Sequence, residues 1–168
     1  AYAVYNNDPA NADIYGNLYN WSADDDERGI CPEGFHVVTD DDWMVLTEYL
    51  APDDEFNNSD GGNWGNYIAG GLIKETGTLE SGDGYWQEPN EGATNESGLS
   101  IRPSGYRSGS SGTYTGLGSI GYYWSATAYD NNDVWYRKLN FANAKIYRVH
   151  WYWGTGGGSG MPVRCVGD

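Results

Sequence analysis

Apolar positions recur at helical spacing between residues 39 and 50, where Trp43, Leu46, Thr47 and Leu50 fall on one side. Thr39 stands where a cap belongs, and Asp42 is placed to return a bond to it. Asp40 and Asp41 suit the positive end of a helix dipole, and Pro52 closes the element. The pattern predicts a helix. From Tyr122 onward the period drops to two, predicting strands over 122–127, 134–141, 145–153 and 161–166. Within the second of these, Trp135, Arg137, Leu139 and Phe141 share one face, and Val134, Tyr136, Lys138 and Asn140 share the other. Asn131-Asn132-Asp133 and Asn143-Ala144 mark turns, and Gly154 to Gly160 reads as a flexible connection.

The earlier chain is less regular. A short helix is expected from Leu18 to Arg28, with Leu18, Trp21 and Ser22 on one side and the acidic run Asp24 to Glu27 as a solvated face. Cys31-Pro32-Glu33-Gly34 reads as a turn into a short strand, Phe35 to Val38. Residues 53–121 are dominated by Gly, Asn, Ser and Asp, with isolated aromatics at Trp64, Tyr67, Tyr85 and Trp86. These aromatics need somewhere to pack, so the stretch reads as ordered loops, with one helical piece from Ile68 to Glu75. Helices first, loops in the middle and an antiparallel sheet at the end describe an α+β fold, a single domain over residues 1–168.

Composition adds two constraints. There are 15 Tyr and 8 Trp against 3 Phe, side chains that serve both half-wet cores and contact surfaces. The net charge of −15 argues against nucleic acid and anionic membrane as partners. The charge is uneven: residues 1–60 hold 15 acidic side chains and one basic one, whereas residues 128–153 hold four basic and two acidic. No apolar run approaches the roughly 20 residues of a membrane-spanning helix, and the first ten residues carry no signal-peptide pattern. Cys31 and Cys165 form no metal-binding spacing; two separate buried thiols or one disulfide both fit.

Catalytic patterns are missing. His36 and His150 are isolated, His36 as a structural residue beside a turn and His150 as an exposed contact in the last sheet. Gly105 to Gly109 is a distorted nucleophile-elbow pattern without the strand–turn–helix setting. The chain is therefore expected not to be an enzyme and to need no cofactor. Calcium is the possible exception. Asp53, Asp54, Asn58 and Asp60 form one oxygen-rich set and Asp130, Asn131 and Asp133 another, neither at EF-hand spacing.

Several segments together resemble a known family. They are Tyr15 to Trp21, Cys31 to Val37 followed by Asp42-Trp43, Asn95 to Leu99, Arg102 to Arg107, Tyr123 to Thr127, and Val163 to Val166. In this order they are similar to the Fibrobacter succinogenes major paralogous domain of bacterial and phage surface proteins. Ala126 departs from the usual Trp-Ser-Ser pattern, and the glycine-rich stretch is longer than expected. The resemblance implies a C-type-lectin-like fold, shared with formylglycine-generating enzyme and with variable proteins of diversity-generating retroelements. It also implies a Cys31–Cys165 disulfide, and places diversified ligand contacts in about residues 127–153.

On that basis the chain is expected to be an extracellular, cell-surface or virion-surface binding domain that contacts protein or glycan, as a receptor-binding module or adhesin. The candidate contacts are Tyr129, Asn131, Asp133, Tyr136, Lys138, Asn143, Lys145, Tyr147, Arg148, His150 and Tyr152, with Trp124, Trp135 and Phe141 in the core. The competing expectation is a calcium-dependent glycan adhesin of fixed specificity, in which Trp64 or Trp86 stacks on sugar.

Overall fold

The computed structural model describes residues 1–23, 29–54, 57–60, 63–152 and 158–168; the side chains at 57–60, 63, 64 and 152 are not among those described. The acidic run at 24–27, Arg28 and positions 154–157 of the glycine-rich stretch lie outside it. In chain order the elements begin with β1 (Tyr2–Ala3), α1 (Ala10–Tyr15), β2 (Leu18–Asn20), β3 (Phe35–Val37) and α2 (Asp40–Leu50). Then come β4 (Asn57–Asp60), β5 (Asn63–Asn66), α3 (Ala69–Ile73), β6 (Ser104–Arg107), β7 (Tyr114–Leu117), β8 (Ile120–Ala128), β9 (Asp133–Asn140), β10 (Ile146–Tyr152), β11 (Gly160–Met161) and β12 (Cys165–Gly167).

α2 forms for the reasons its sequence gives. The Thr39 side chain accepts from the Asp42 amide, the Asp42 carboxylate accepts from the Thr39 amide, and the helix buries Trp43 and Thr47. The helix expected from Leu18 does not form. Leu18–Asn20 is strand β2, followed by one 3₁₀ turn over Trp21–Ala23. Pairing decides this: β2 lies between β1 and β11, and burying Leu18 in that ladder outweighs a local helical preference. The predicted 161–166 strand is likewise two pieces, β11 in the main sheet and β12 paired with β3.

The main sheet runs β1-β2-β11-β6-β8-β9-β10-β5-β4, with β7 beside β6. It is antiparallel except for a parallel β6–β8 contact at Gly105 and Gly121. The fold is thus mixed α and β with a mostly antiparallel sheet, as the sequence pattern implied. Its N-terminal strands and those of the 53–121 region belong to that sheet, which a helices-then-sheet order did not anticipate.

The registers place Tyr123, Arg137 and Arg148 in one cross-strand row and Tyr122, Lys138 and Tyr147 in the next. Alternation therefore sends these rows to opposite faces. On the first face Tyr123, Leu139 and Ile146 pack with Trp43, Ile73, Trp86 and Ile101 under α2 and α3. On the second, Trp124, Tyr136 and Val149 pack with Met161, and Trp21, Tyr106 and Val163 close over them. Among the described residues both faces of the C-terminal strands are packed against other elements, which leaves their ends and margins as the open parts.

Candidate ligand-binding site

The predicted contacts divide between two ends of the β8–β10 strands. At one end, the turn after β8 and the last residues of β10 carry Tyr129, Asn131, Asp133, His150 and Tyr152. At the other, the β9–β10 turn and its neighbours carry Lys138, Asn143, Lys145 and Tyr147. Two candidates, Tyr136 and Arg148, are held inside the structure.

The first end is built from the turn upward. The Asp130 carboxylate accepts from the amides of Asn132 and Asp133 at 2.7 and 2.8 Å. Those two bonds hold the Asp130 carboxyl below its ordinary range. The Tyr129 amide donates to the Asp133 carbonyl, closing the turn. His150 Nδ1 lies 2.7 Å from the Asp133 carboxylate. The imidazole stacks on the Tyr129 ring with centroids 4.0 Å apart, and Trp135 meets both rings edge-on at 4.9 and 5.4 Å. Tyr129 is 49% exposed and Trp135 is buried, while Trp151, on the opposite face of β10 across from Val134, is 53% exposed. Asn131 is exposed in the turn, and Tyr152 pairs through its backbone with Asp133, its side chain lying outside the described residues.

A buried ion cluster supports this end. Arg148 lies over the Trp135 ring at 3.9 Å and donates to the Asp40 carboxylate, with Nη2 at 2.6 Å. Arg137 donates to the same carboxylate at 2.7 Å and to the Asp40 carbonyl at 3.2 Å. Burial alone would raise the Asp40 pKa, but the bonds and charges of Arg148 and Arg137 outweigh it and hold the carboxyl low. The Asp40 amide donates to Thr127 on β8. A chain of contacts thus runs from the start of α2 through Arg148 and Trp135 to the exposed rings. Arg148 is thereby a supporting residue rather than a free contact, because its guanidinium is already committed to a buried carboxylate.

The other end is cationic and aromatic. Lys138 lies 4.8 Å over the Tyr147 ring, and Lys145 lies 4.0 Å over Tyr67. Asn143 donates to the Tyr147 hydroxyl and accepts from the Lys145 amide, which fixes the turn. Burial pushes the Lys138 ammonium below its usual value. Tyr136 is only 4% exposed, packed edge-on against Trp124, and burial first, then Tyr122 and Tyr106, raise its pKa. Its position in the closed core corrects its assignment as a contact: the ring is spent on packing.

Other expectations also meet geometry. Trp86 is fully buried with its indole N–H donating to the Ile101 carbonyl, so it cannot stack on a sugar; the Trp64 side chain lies outside the described residues. Of the first oxygen-rich set, the Asp54 carboxylate caps the Ile68 amide, and the side chains of Asn58 and Asp60 lie outside the described residues. In the second set, Asp130 is used by its turn and Asp133 by His150. Among the described residues no group of three or more His, Cys, Asp or Glu side chains is placed to hold a metal ion. His36 joins Asp168 at 2.7 Å and Asp42 at 3.2 Å, and these bonds raise its pKa. Cys31 and Cys165 are joined in a disulfide. No helix among the described residues is long and apolar enough to cross a membrane.

Sequence reasoning missed Asp40, Thr127 and the exposed Trp151. Asp40 sits in a run of three aspartates in which it and Asp41 read alike as dipole complement, and only its pairing with arginines about 100 positions away sets it apart.

A family model described as the Fibrobacter succinogenes major domain matches residues 1–167. No curated protein and no solved structure matches the chain.

Proposed function

Since the chain belongs to the Fibrobacter succinogenes major domain family, we propose that it is a non-catalytic ligand-binding domain whose contact surface is the Tyr129–His150–Trp151 end of the sheet. One observation carries the reading: exposed rings are stacked and braced before any ligand arrives. Tyr129 and His150 are stacked, oriented by Asp133 and backed by Trp135, which Arg148 and Asp40 hold from beneath. Rigid aromatic side chains at a turn supply contact area at small entropic cost, as in antibody paratopes. The residues that vary in such a design are on the surface, and the brace is buried.

The finer reading follows the same lines. The fold is of the C-type-lectin type, and residues 127–153 are the diversified segment of a variable protein of a diversity-generating retroelement. The ligand is a protein or glycan on a cell or virus surface. The Cys31–Cys165 disulfide favours an oxidising, extracellular setting.

The test is a Tyr129→Ala/Trp151→Ala variant assayed on glycan microarrays and on intact bacterial cells beside the unaltered domain. Binding should fall at least about tenfold, since such anchors dominate interfaces, with Tm almost unchanged. Undiminished binding would remove this surface from the proposal. Sequencing many gene copies from one natural population tests the diversified part. Substitutions should gather at 127–153 and spare Asp40, Trp135, Arg137 and Arg148. An even spread would leave a fixed-specificity adhesin.

A further inference from the structure

A second concavity shares no residue with the sheet-end surface. It is an open cleft of about 530 Å³ between α1, the segment around Leu99 to Arg102, and the chain linking β11 to β12. That volume lies within the range of small-molecule sites. The chain carries a net charge of −15, yet no acidic side chain among the described residues lines this cleft, and two arginines do.

The two arginines are in different states. Arg102 donates through Nε and Nη2 to the Glu75 carboxylate and through Nη1 to the Ile14 carbonyl, so its charge is matched. Arg164 donates through Nη2 to the carbonyls of Leu99 and Ser100, and it meets no carboxylate among the described residues. A guanidinium presents five N–H donors in a planar fork, and the two carbonyls engage only Nη2. The guanidinium carbon of Arg164 lies 5.8 Å from the ring centroid of Tyr123, which also lines the cleft. Its backbone is fixed on both sides: the Arg164 carbonyl accepts from Val38, and the next residue is the disulfide-bonded Cys165.

The remaining lining is aliphatic (Ile14, Ile30, Leu99, Pro162 and Val163) as well as aromatic and polar. Tyr15 stands edge-on to Tyr85 at 5.7 Å, Asn17 and Tyr19 are joined side chain to side chain, and Ser100 holds a left-handed backbone at φ 50°. A non-glycine residue in that region costs energy that the surrounding structure must offset, and such residues gather at functional sites. Here the Asn95 side chain offsets it by accepting from the Ser100 amide and donating to its hydroxyl.

We propose that this cleft binds a small acidic sugar, a hexuronate-sized carboxylate, with Arg164 as the anion-recognising group. The guanidinium fork matches a carboxylate in a bidentate manner. The Tyr15 and Tyr19 rings and the hydroxyl and amide groups beside them match a sugar's apolar face and its hydroxyls. The site is independent of the sheet-end surface, and either can fail alone.

The test is a titration of the folded domain with D-glucuronate and D-galacturonate, followed by ¹H–¹⁵N NMR, with D-glucose as the uncharged control. Uronates should bind saturably, with shifts centred on residues 14–19, 99–102 and 162–165, and glucose at least tenfold more weakly. Arg164→Gln should weaken uronate binding at least tenfold, and Arg164→Lys should weaken it less. Should Arg164→Gln fail to fold, Asn17→Trp, which fills the cleft from its rim, should abolish binding and keep the wild-type Tm. The proposal is overturned by the absence of saturable uronate binding, by equal glucose binding, or by shifts centred elsewhere.

Discussion

Asp40 shows how much one side chain can organise. Its carboxylate is almost wholly buried and is shared by two guanidinium groups, one on β9 and one on β10, while its amide bonds Thr127 on β8. Removing one member of such a cluster leaves charge buried without compensation. Asp40→Asn keeps the shape and deletes the charge, so it should destabilise the fold by roughly 3–5 kcal/mol, measured by urea unfolding at neutral pH. The folded pKa is depressed, so the stabilisation is complete above the ordinary carboxylate range and is lost as pH falls through the lower folded value. The gap between wild type and Asp40→Asn should therefore be constant near neutrality and narrow in strong acid. A gap that did not change with pH would mean that the charge is not what Asp40 contributes. Nothing in the sequence distinguished Asp40 from Asp41, because both satisfy the same local rule at the start of a helix.

Local rules governed the elements unevenly. α2 was legible because its cap, its period and its stop all lie within about a dozen consecutive residues. The β8–β10 strands were legible for the same reason, and the face assignment read along β9 agrees with the registers. β2 was not legible, since its conformation is set by partners at residues 2–3 and 160–161. In the 53–121 segment the helical piece expected at Ile68 to Glu75 forms as α3, and the rest was legible only as ordered; it is fastened by Lys74, fully buried at the end of α3. Its ammonium donates to the carbonyls of Glu91, Asn140 and Asn143 at 2.8, 3.2 and 3.1 Å, and it lies 5.3 Å from the Trp86 ring centroid. Burial pushes its pKa down to about 8, with the Glu91 charge working the other way. Three N–H groups meet three carbonyls, so the loop after Trp86, the end of β9 and the β9–β10 turn are fastened together. Lys74→Met keeps most of the stem packing and orphans the carbonyls, and should cost roughly 2–5 kcal/mol in urea unfolding. A loss under about 1 kcal/mol would show that water replaces the ammonium readily.

At the scale of the whole molecule, the candidate surface was legible as a region but not as a surface. Tyr129, Asp133 and His150 were named, yet so were Tyr136 and Arg148. Alternation gives two faces and is silent on which is covered. Both are, because Trp21 and Met161 close one face and α2 closes the other. The pieces that close them are tied at a single seam. β12 pairs with β3, Val38 donates to the Arg164 carbonyl, and Cys31 is bonded to Cys165 across a sequence separation of 134. A cross-link closing so long a loop stabilises by restricting the unfolded chain, so the Cys31→Ser/Cys165→Ser variant should lose about 2–4 kcal/mol. The local consequence is separable from the global one by hydrogen exchange. The amides of Val38 and Asp168, which bond across the seam to Arg164 and Gly34, should exchange faster in the variant than its lowered global stability explains. Amides central to β8–β10 should follow the global value alone. If the seam and the central strands lost protection equally, the disulfide would act only on the unfolded chain. The wall that presents Arg164 would then owe its geometry to the β3–β12 pairing rather than to the cross-link.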